Sequence, residues 1–262
     1  MAIANLNVPV VNGSKTVKPE ILPAPDRTDA SGHAIRNVIL LSIPDEEFNL
    51  LRPHLELLDL PQYFILHQPA ERIAHGYFLN EGLASLVAVN GDGRSVEVGI
   101  VGREGMVGTS LVVGLNRGCF RGIMQISGSG CRIDADMLTE LLPLTPALRE
   151  ELLRYTLVHG LQVGQIAACN RLHELDQRLA RWLLMCQDRV DSETLSLTHE
   201  FLAQMLGTGR PSVTLAAQTL EKTGGMENLR GRMRIVNRKQ LEASACECYR
   251  MIQNLNGALR LR

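Results

Sequence analysis

No stretch of the chain approaches the roughly 18 consecutive apolar residues that a membrane-spanning helix needs, so no span is expected. Met1 to Pro25 also lacks a basic start followed by an apolar core, so no secretory leader is read there and a cytoplasmic location is expected. Cysteine is missing before Cys119. The six present (Cys119, Cys131, Cys169, Cys186, Cys246 and Cys248) follow no regular spacing, which argues against a secreted disulfide framework. A dominant charge is missing as well: the net charge is −1, so any surface for a polyanion must come from uneven distribution. That unevenness exists. From Thr198 onward ten Lys and Arg face five Glu, which makes this end basic and the remainder acidic.

Catalytic signatures are absent too. Gly91-Asp92-Gly93 is followed by Val96 where a dinucleotide fingerprint wants glycine, no Walker-type loop occurs, and no Ser/His/Asp or Cys/His set is legible. An enzyme is not expected. Cys246 and Cys248 form a C-x-C pair, but no His or Cys partner lies at zinc spacing, so free thiols are expected. His75, His159 and His173 are scattered and read as ordinary polar residues rather than haem ligands. No cofactor and no metal are expected.

What is present suits two modest folded domains. Hydrophobic residues make up 45% of the 262, and about 150 residues per domain is the usual scale. Residues 1–34, rich in Pro, Asn, Ser and Lys without sustained period, read as a flexible tail. A helix is expected from Pro44 to about Leu57, with Asp45, Glu46 and Glu47 favourably placed in its first turn. Strands follow: Tyr77 to Leu79, Leu83 to Val89, a turn at Asn90 to Gly93, then Val96, Val98 and Ile100 alternating with Ser95, Glu97 and Gly99. Further strands are read at Phe120 to Ile126 and Cys131 to Asp134. Residues 35–145 are thus expected to form a compact antiparallel roll.

From Pro146 the pattern turns helical for about 40 residues, to Asp188. Leu148, Leu152, Tyr155, His159, Gln162 and Ile166 form one seam, and Leu153, Thr156, Gly160, Val163, Ala167 and Asn170 a second. A helix with two usable faces can pack on its own roll and on a partner's helix, which makes residues 146–188 a candidate dimerisation helix. One long core helix in a monomer stays open as the other reading.

Residues 189–262 hold the most specific pattern. Thr198 is a good N-cap, and Phe201, Leu202, Met205 and Leu206 supply the apolar face of a short helix. Gly207-Thr208-Gly209 breaks it. Pro211 restarts a helix at its first turn, and Val213, Ala216, Ala217 and Leu220 give that helix a buried face. Two short helices joined by a glycine-containing turn make a helix-turn-helix pattern. The second helix has a polar leading end in Arg210, Ser212, Thr214 and Gln218, as entry into a major groove requires. Arg210 can pair with guanine O6 and N7, while Ser212 and the free N–H groups at the helix start can hold phosphates. Arg230 to Val236 reads as a β-wing that turns Arg232 and Arg234 toward backbone or solvent.

The order of roll, long helix and LTHEFLAQMLGTGRPSVTLAAQTLEKTG resembles the Crp/Fnr family over nearly everything after residue 35. The likeness is most specific at Ala203, Gly207, Arg210, Ser212, Val213 and Leu220. It implies an α+β chain: an N-terminal antiparallel β-roll like those that bind cyclic nucleotides, a dimerisation helix and a C-terminal winged helix-turn-helix. It further implies a homodimer reading a palindromic operator in double-stranded DNA, a small-molecule effector in the roll, and contact with RNA polymerase. By the same resemblance His199 touches phosphate and Arg210 reaches a base. Pro211 departs from the pattern, standing where many members carry a base-reading Glu, and Leu215 stands where some carry Arg.

The sensor residues depart further. Gly108-Thr109 falls where cyclic-nucleotide members have Gly-Glu, Arg121-Gly122 where they have Arg-Ser, and Gly164-Gln165 where they have a hydroxyl pair that meets the purine. One charged anchor remains, so cyclic AMP is not the expected ligand and the effector is left open. The competing class is an effector-sensing module whose helix pair binds a protein rather than DNA.

Overall fold

The computed structural model describes residues 27–190 and 192–258. The expected tail therefore lies outside the described residues up to residue 26, while its last eight residues are anchored. The Arg27 guanidinium donates to the carbonyls of Leu40 and Ile43, pairs with Asp45 at 2.6 Å and sits 4.8 Å above the Phe48 ring. A Thr28–Ala34 bridge closes the segment. Buried charge with this many acceptors holds a chain in place, so the tail reading fails from residue 27 onward.

Helix α1 (Val38–Ser42) is capped by Asn37, whose side chain also donates to Leu79 and Gly105. Helix α2 (Asp45–Leu51) starts where expected but stops well short of Leu57. Pro53 has no N–H and crowds the preceding turn, so Arg52–His54 tightens into a 3₁₀ turn and Glu56–Leu60 becomes strand β1.

The roll is antiparallel, as read from the sequence, and consists of two four-stranded sheets. One orders β1, β8 (Gly128–Asp134), β3 (His75–Leu79) and β6 (Met106–Val107); the other orders β2 (Ile65–His67), β7 (Arg121–Ile126), β4 (Leu83–Val89) and β5 (Ser95–Val101). Phe78, Leu79, Ala84, Val101, Met106, Met124 and Cys131 fill the space between them. Strand β5 corrects the alternation expected of it. Leu86 pairs with Gly99 and Val87 with Glu97, a bulge that skips Val98, and Glu97 and Gly99 are buried. Helices cover the outer face of this sheet, so a simple in-and-out pattern no longer marks the core.

Asp134 caps α3 (Ala135–Leu141), and α4 (Pro146–Leu172) follows after a short turn. Both oxygens of Glu47, on α2, accept the N–H groups of Ala147 and Leu148 at 2.9 Å, so a carboxylate from the roll caps the long helix. The helical stretch does not run unbroken to Asp188. It breaks at His173 and restarts as α5 (Leu175–Val190), where the Gln177 side chain accepts from the Glu174 N–H as in a capping box. Helix α5 packs on the C-terminal elements, which moves the start of the C-terminal domain about 14 residues before the expected boundary at 189. That domain continues through β9 (Thr194–Leu195), α6 (His199–Leu206), α7 (Arg210–Lys222), β10 (Met226–Leu229), β11 (Arg232–Ile235), α8 (Arg238–Ser244) and α9 (Cys248–Ala258).

Candidate nucleic-acid interface

Helices α6 and α7 are joined as the sequence predicts. Thr198 accepts the Phe201 N–H at 3.1 Å, and Gly207 ends α6 at φ 64°, a left-handed conformation that only glycine adopts without strain. Helix α7 opens at Gly209 with no side-chain cap, so the N–H groups of its first turn stay free for an anion. Val213, Ala216, Ala217 and Leu220 lock the inner face into a core with Leu179, Leu183, Leu202 and Leu206. The outer face presents Arg210, Pro211, Ser212, Leu215 and Gln218 to solvent, with Leu215 66% exposed.

His199 takes a different place from the one its resemblance implies. Its Nδ1 meets Thr214 Oγ1 at 2.9 Å, that hydroxyl reaches back to the Arg210 carbonyl at 3.1 Å, and its Nε2 is buried with no hydrogen-bond partner among the described residues. Neither ring nitrogen is left for phosphate. His199 and half-buried Thr214 instead fix the leading end of α7 against α6.

The wing is a hairpin, with Leu229 opposite Arg232, Gly231 at its turn and β9 as a third strand. Arg232 is exposed and makes no salt bridge among the described residues, whereas Arg234 is paired with Glu227 at 2.6 Å. Between wing tip and α7 lies a groove of about 520 Å³, lined by Thr198, His199, Arg210 and Asn228 to Gly231.

On its other side the leading end of α7 faces the roll. A cleft of about 1130 Å³ separates it from the β4–β5 hairpin and carries Arg94, Arg178 and Arg210. Gln204 donates to Ser95 at 2.6 Å and Tyr63 meets Phe201 edge-on at 6.2 Å, so α6 is docked on the hairpin. Deeper, Trp182 of α5 donates to Glu97 of β5 at 2.7 Å, and Arg189 pairs with Glu104 at 2.6 Å. Burial pushes the Glu97 carboxyl up to about 7 against the hydrogen bonds of Ser85 and Trp182. Burial, helped by Arg189, brings the neighbouring His159 down to about 4. Alternation alone does not reveal this junction, because it sets Glu97 and Gly99 opposite the apolar Val96, Val98 and Ile100, while the structure buries Glu97 and Gly99 too.

The residues singled out in the roll do not converge on an open site. Gly108 is buried at φ 100° beside half-buried Thr109. Arg121 donates to Gln68 at 2.9 Å. A Cβ at Gly122 would stand 2.8 Å from His67 Nε2 and 3.2 Å from Val107, so the His67 ring fills the space above that strand. Burial lowers the pKa of His67, which favours the neutral ring. On α4, Gly164 faces open space, while Gln165 donates to Cys248 at 3.1 Å.

Comparison with known proteins places these features. The Crp-like helix-turn-helix domain family matches residues 177–244, and so takes in α5. No curated protein matches the sequence. Among solved structures the chain is similar to FixK2 from Bradyrhizobium japonicum, with 14% identity and a TM-score of 0.63 over 73% of this chain and 98% of that one. It is also similar to a CRP/FNR family transcriptional regulator from Thermus thermophilus, with 21% identity and a TM-score of 0.56 over 72% and 98%. A third is the c-di-GMP-responsive regulator CLP from Xanthomonas campestris, with 16% identity and a TM-score of 0.57 over 73% and 99%. At such identities the likeness is one of fold.

Proposed function

From a chain that carries a Crp-like helix-turn-helix domain on the fold of Crp/Fnr transcription regulators, we propose a dimeric, sequence-specific reader of duplex DNA. One observation carries this reading: the leading end of α7 is held rigid from behind by His199 and Thr214 yet is exposed in front, through Arg210, Pro211 and Ser212. Arg210 reads guanine, and Gln218 reads a base edge further along the groove. Leu215 packs on a thymine methyl. Ser212, Thr198, the free N–H groups of α7 and Arg232 hold phosphates on either side.

Pairing is supported by α4, where Leu157 (66% exposed), Leu161 (50%), Leu153 and the bare Gly160 and Gly164 make an apolar row on the outer face. A second copy laid along this row buries it and sets two recognition helices about one DNA turn apart. The roll is read as a degenerate sensor: Thr109 replaces the carboxylate expected there, and His67 occupies the space beside Gly122.

Selection of bound duplex from a random pool tests this. Palindromic sites with half-sites one turn apart are expected, and Arg210→Ala should lose about tenfold to a hundredfold on the selected site while changing random duplex little. Equal losses on both would overturn the base-reading role of Arg210, and no enrichment at any salt concentration would overturn the reading in favour of a protein partner.

A further inference from the structure

Where α4 ends it meets the segment between α8 and α9, at a cluster of side chains for which DNA reading has no use. Cys169 and His173 lie one turn apart at the end of α4; Cys246 lies just before α9 and Cys248 at its first position. Their four donor atoms all fall within 4.8 Å of one another. Cys169 Sγ is 3.5 Å from Cys246 Sγ, and Cys248 Sγ is 3.5 Å from His173 Nδ1. The three thiols are buried and form an apolar cluster of their own.

We propose that Cys169, His173, Cys246 and Cys248 bind one zinc-class divalent cation, through three thiolates and the imidazole Nδ1.

The spacing fits a single tetrahedral ion. Bonds of about 2.3 Å to sulfur and about 2.0 Å to nitrogen place sulfurs about 3.8 Å apart and sulfur and nitrogen about 3.5 Å apart. The Cys169–Cys246 and Cys248–His173 separations of 3.5 Å lie within about 0.3 Å of these values, and the remaining separations, all within 4.8 Å, need to close by no more than about 1 Å. A multi-iron cluster would need its four donors spread around a larger body. A Cys169–Cys246 disulfide would explain one contact and leave His173 and Cys248 without purpose.

The surroundings are those of a ligated site. Glu247 Oε1 lies 3.2 Å from His173 Nε2, placed to accept its proton and leave Nδ1 free to ligate, and Gln165 donates to the Cys248 sulfur. Arg181, 2% exposed, has no salt bridge among the described residues and lies close enough to act on Cys169 as well as on Glu97, whose carboxyl burial keeps largely protonated below about pH 7. A buried guanidinium needs a counter-charge, and a dication held by three thiolates and a neutral imidazole carries one net negative charge.

The ion would staple α9 to the elbow between α4 and α5, fixing how the DNA-binding domain leaves the sensor helix. The C-x-C pair offered no such hint alone, because its partners lie more than 70 residues earlier in sequence.

Metal analysis of the full-length protein, purified under reducing conditions and dialysed, tests the assignment independently of DNA binding. One zinc per chain is expected, and cobalt in its place should show tetrahedral ligand-field bands with sulfur-to-metal charge transfer. Cys246→Ser and His173→Ala should lose the metal, Cys119→Ser should keep it, and Glu247→Gln should bind about 10-fold to 100-fold more weakly. His173→Cys should retain the metal with an altered cobalt spectrum, which separates ligation from folding. The proposal fails if folded wild-type chain takes up no stoichiometric zinc, if the Cys246→Ser cobalt spectrum is unchanged, or if anaerobically purified protein carries a Cys169–Cys246 disulfide by mass.

Discussion

The two halves of this molecule treat their binding surfaces in opposite ways. The helix-turn-helix hides its supporting residues and leaves its leading edge bare: His199 and Thr214 face inward while Arg210, Ser212 and Leu215 face out. The roll, built of strands, turns its side chains in, with His67 over Gly122 and Arg121 tied to Gln68. An exposed polar edge and a packed one can thus be built from comparable sets of polar residues. What separates them is which face the neighbouring elements cover. The halves are joined through Trp182, Glu97, Arg189 and Glu104, where each supplies part of the other's core.

The strongest way to break the contrast is to cut that joint. Trp182→Ala removes a ring that is 2% exposed and leaves Glu97 Oε1 without its donor while Ser85 still donates to Oε2, so a loss of about 3–5 kcal/mol is expected by denaturant unfolding. A loss under 1 kcal/mol would mean that the halves do not share a core.

Next comes the pH dependence of the same joint. Glu97 is raised from 4.5 to about 7, so between these values the folded state holds a proton that the unfolded state has lost, and stability falls as pH rises. His159 is lowered from 6.5 to about 4, so there the unfolded state binds the proton first and stability rises with pH. The two slopes oppose each other over their shared window and largely cancel. Arg181 and Arg189 face Glu97 as well, and their charges favour its ionised form without outweighing burial. Glu97→Gln removes one slope: its stability relative to the wild type should increase by about 3 kcal/mol from pH 4.5 to 7. A flat difference would show that Glu97 does not titrate there.

Smaller effects sharpen the open half alone. Thr198→Ala deletes the N-cap of α6 and should cost about 1 kcal/mol, visible as a lower midpoint in urea. Arg232→Ala should leave stability unchanged and reduce the salt slope of DNA binding by about one, with equal weakening on all sequences. A change in sequence preference would move Arg232 from phosphate to base.

Local chemistry made much of this legible. Thr198, Gly207 and Pro211 act on their own neighbours through capping, positive φ and a missing N–H, so the helix-turn-helix could be placed almost to the residue. The central strands of the roll likewise announced themselves by alternation and turns, whereas β1, β2, β6 and the pairing into two sheets did not. The break at His173 was less visible, because the residues on both sides are good helix formers and the capping of α5 rests on one Gln177 hydrogen bond.

Elements whose causes lie within a few residues follow from local sequence: the caps, the turns, and the second helix of the helix-turn-helix with its exposed polar front. Long-range packing instead sets that Glu97 points inward to Trp182, that His67 fills the space beside Gly122, and that Cys169 and His173 meet Cys246 and Cys248. These are contacts between residues far apart in the chain, and no local period or propensity encodes them. They exist because packing two sheets and a bundle of helices brings particular faces together, and burial then sets what each side chain can do.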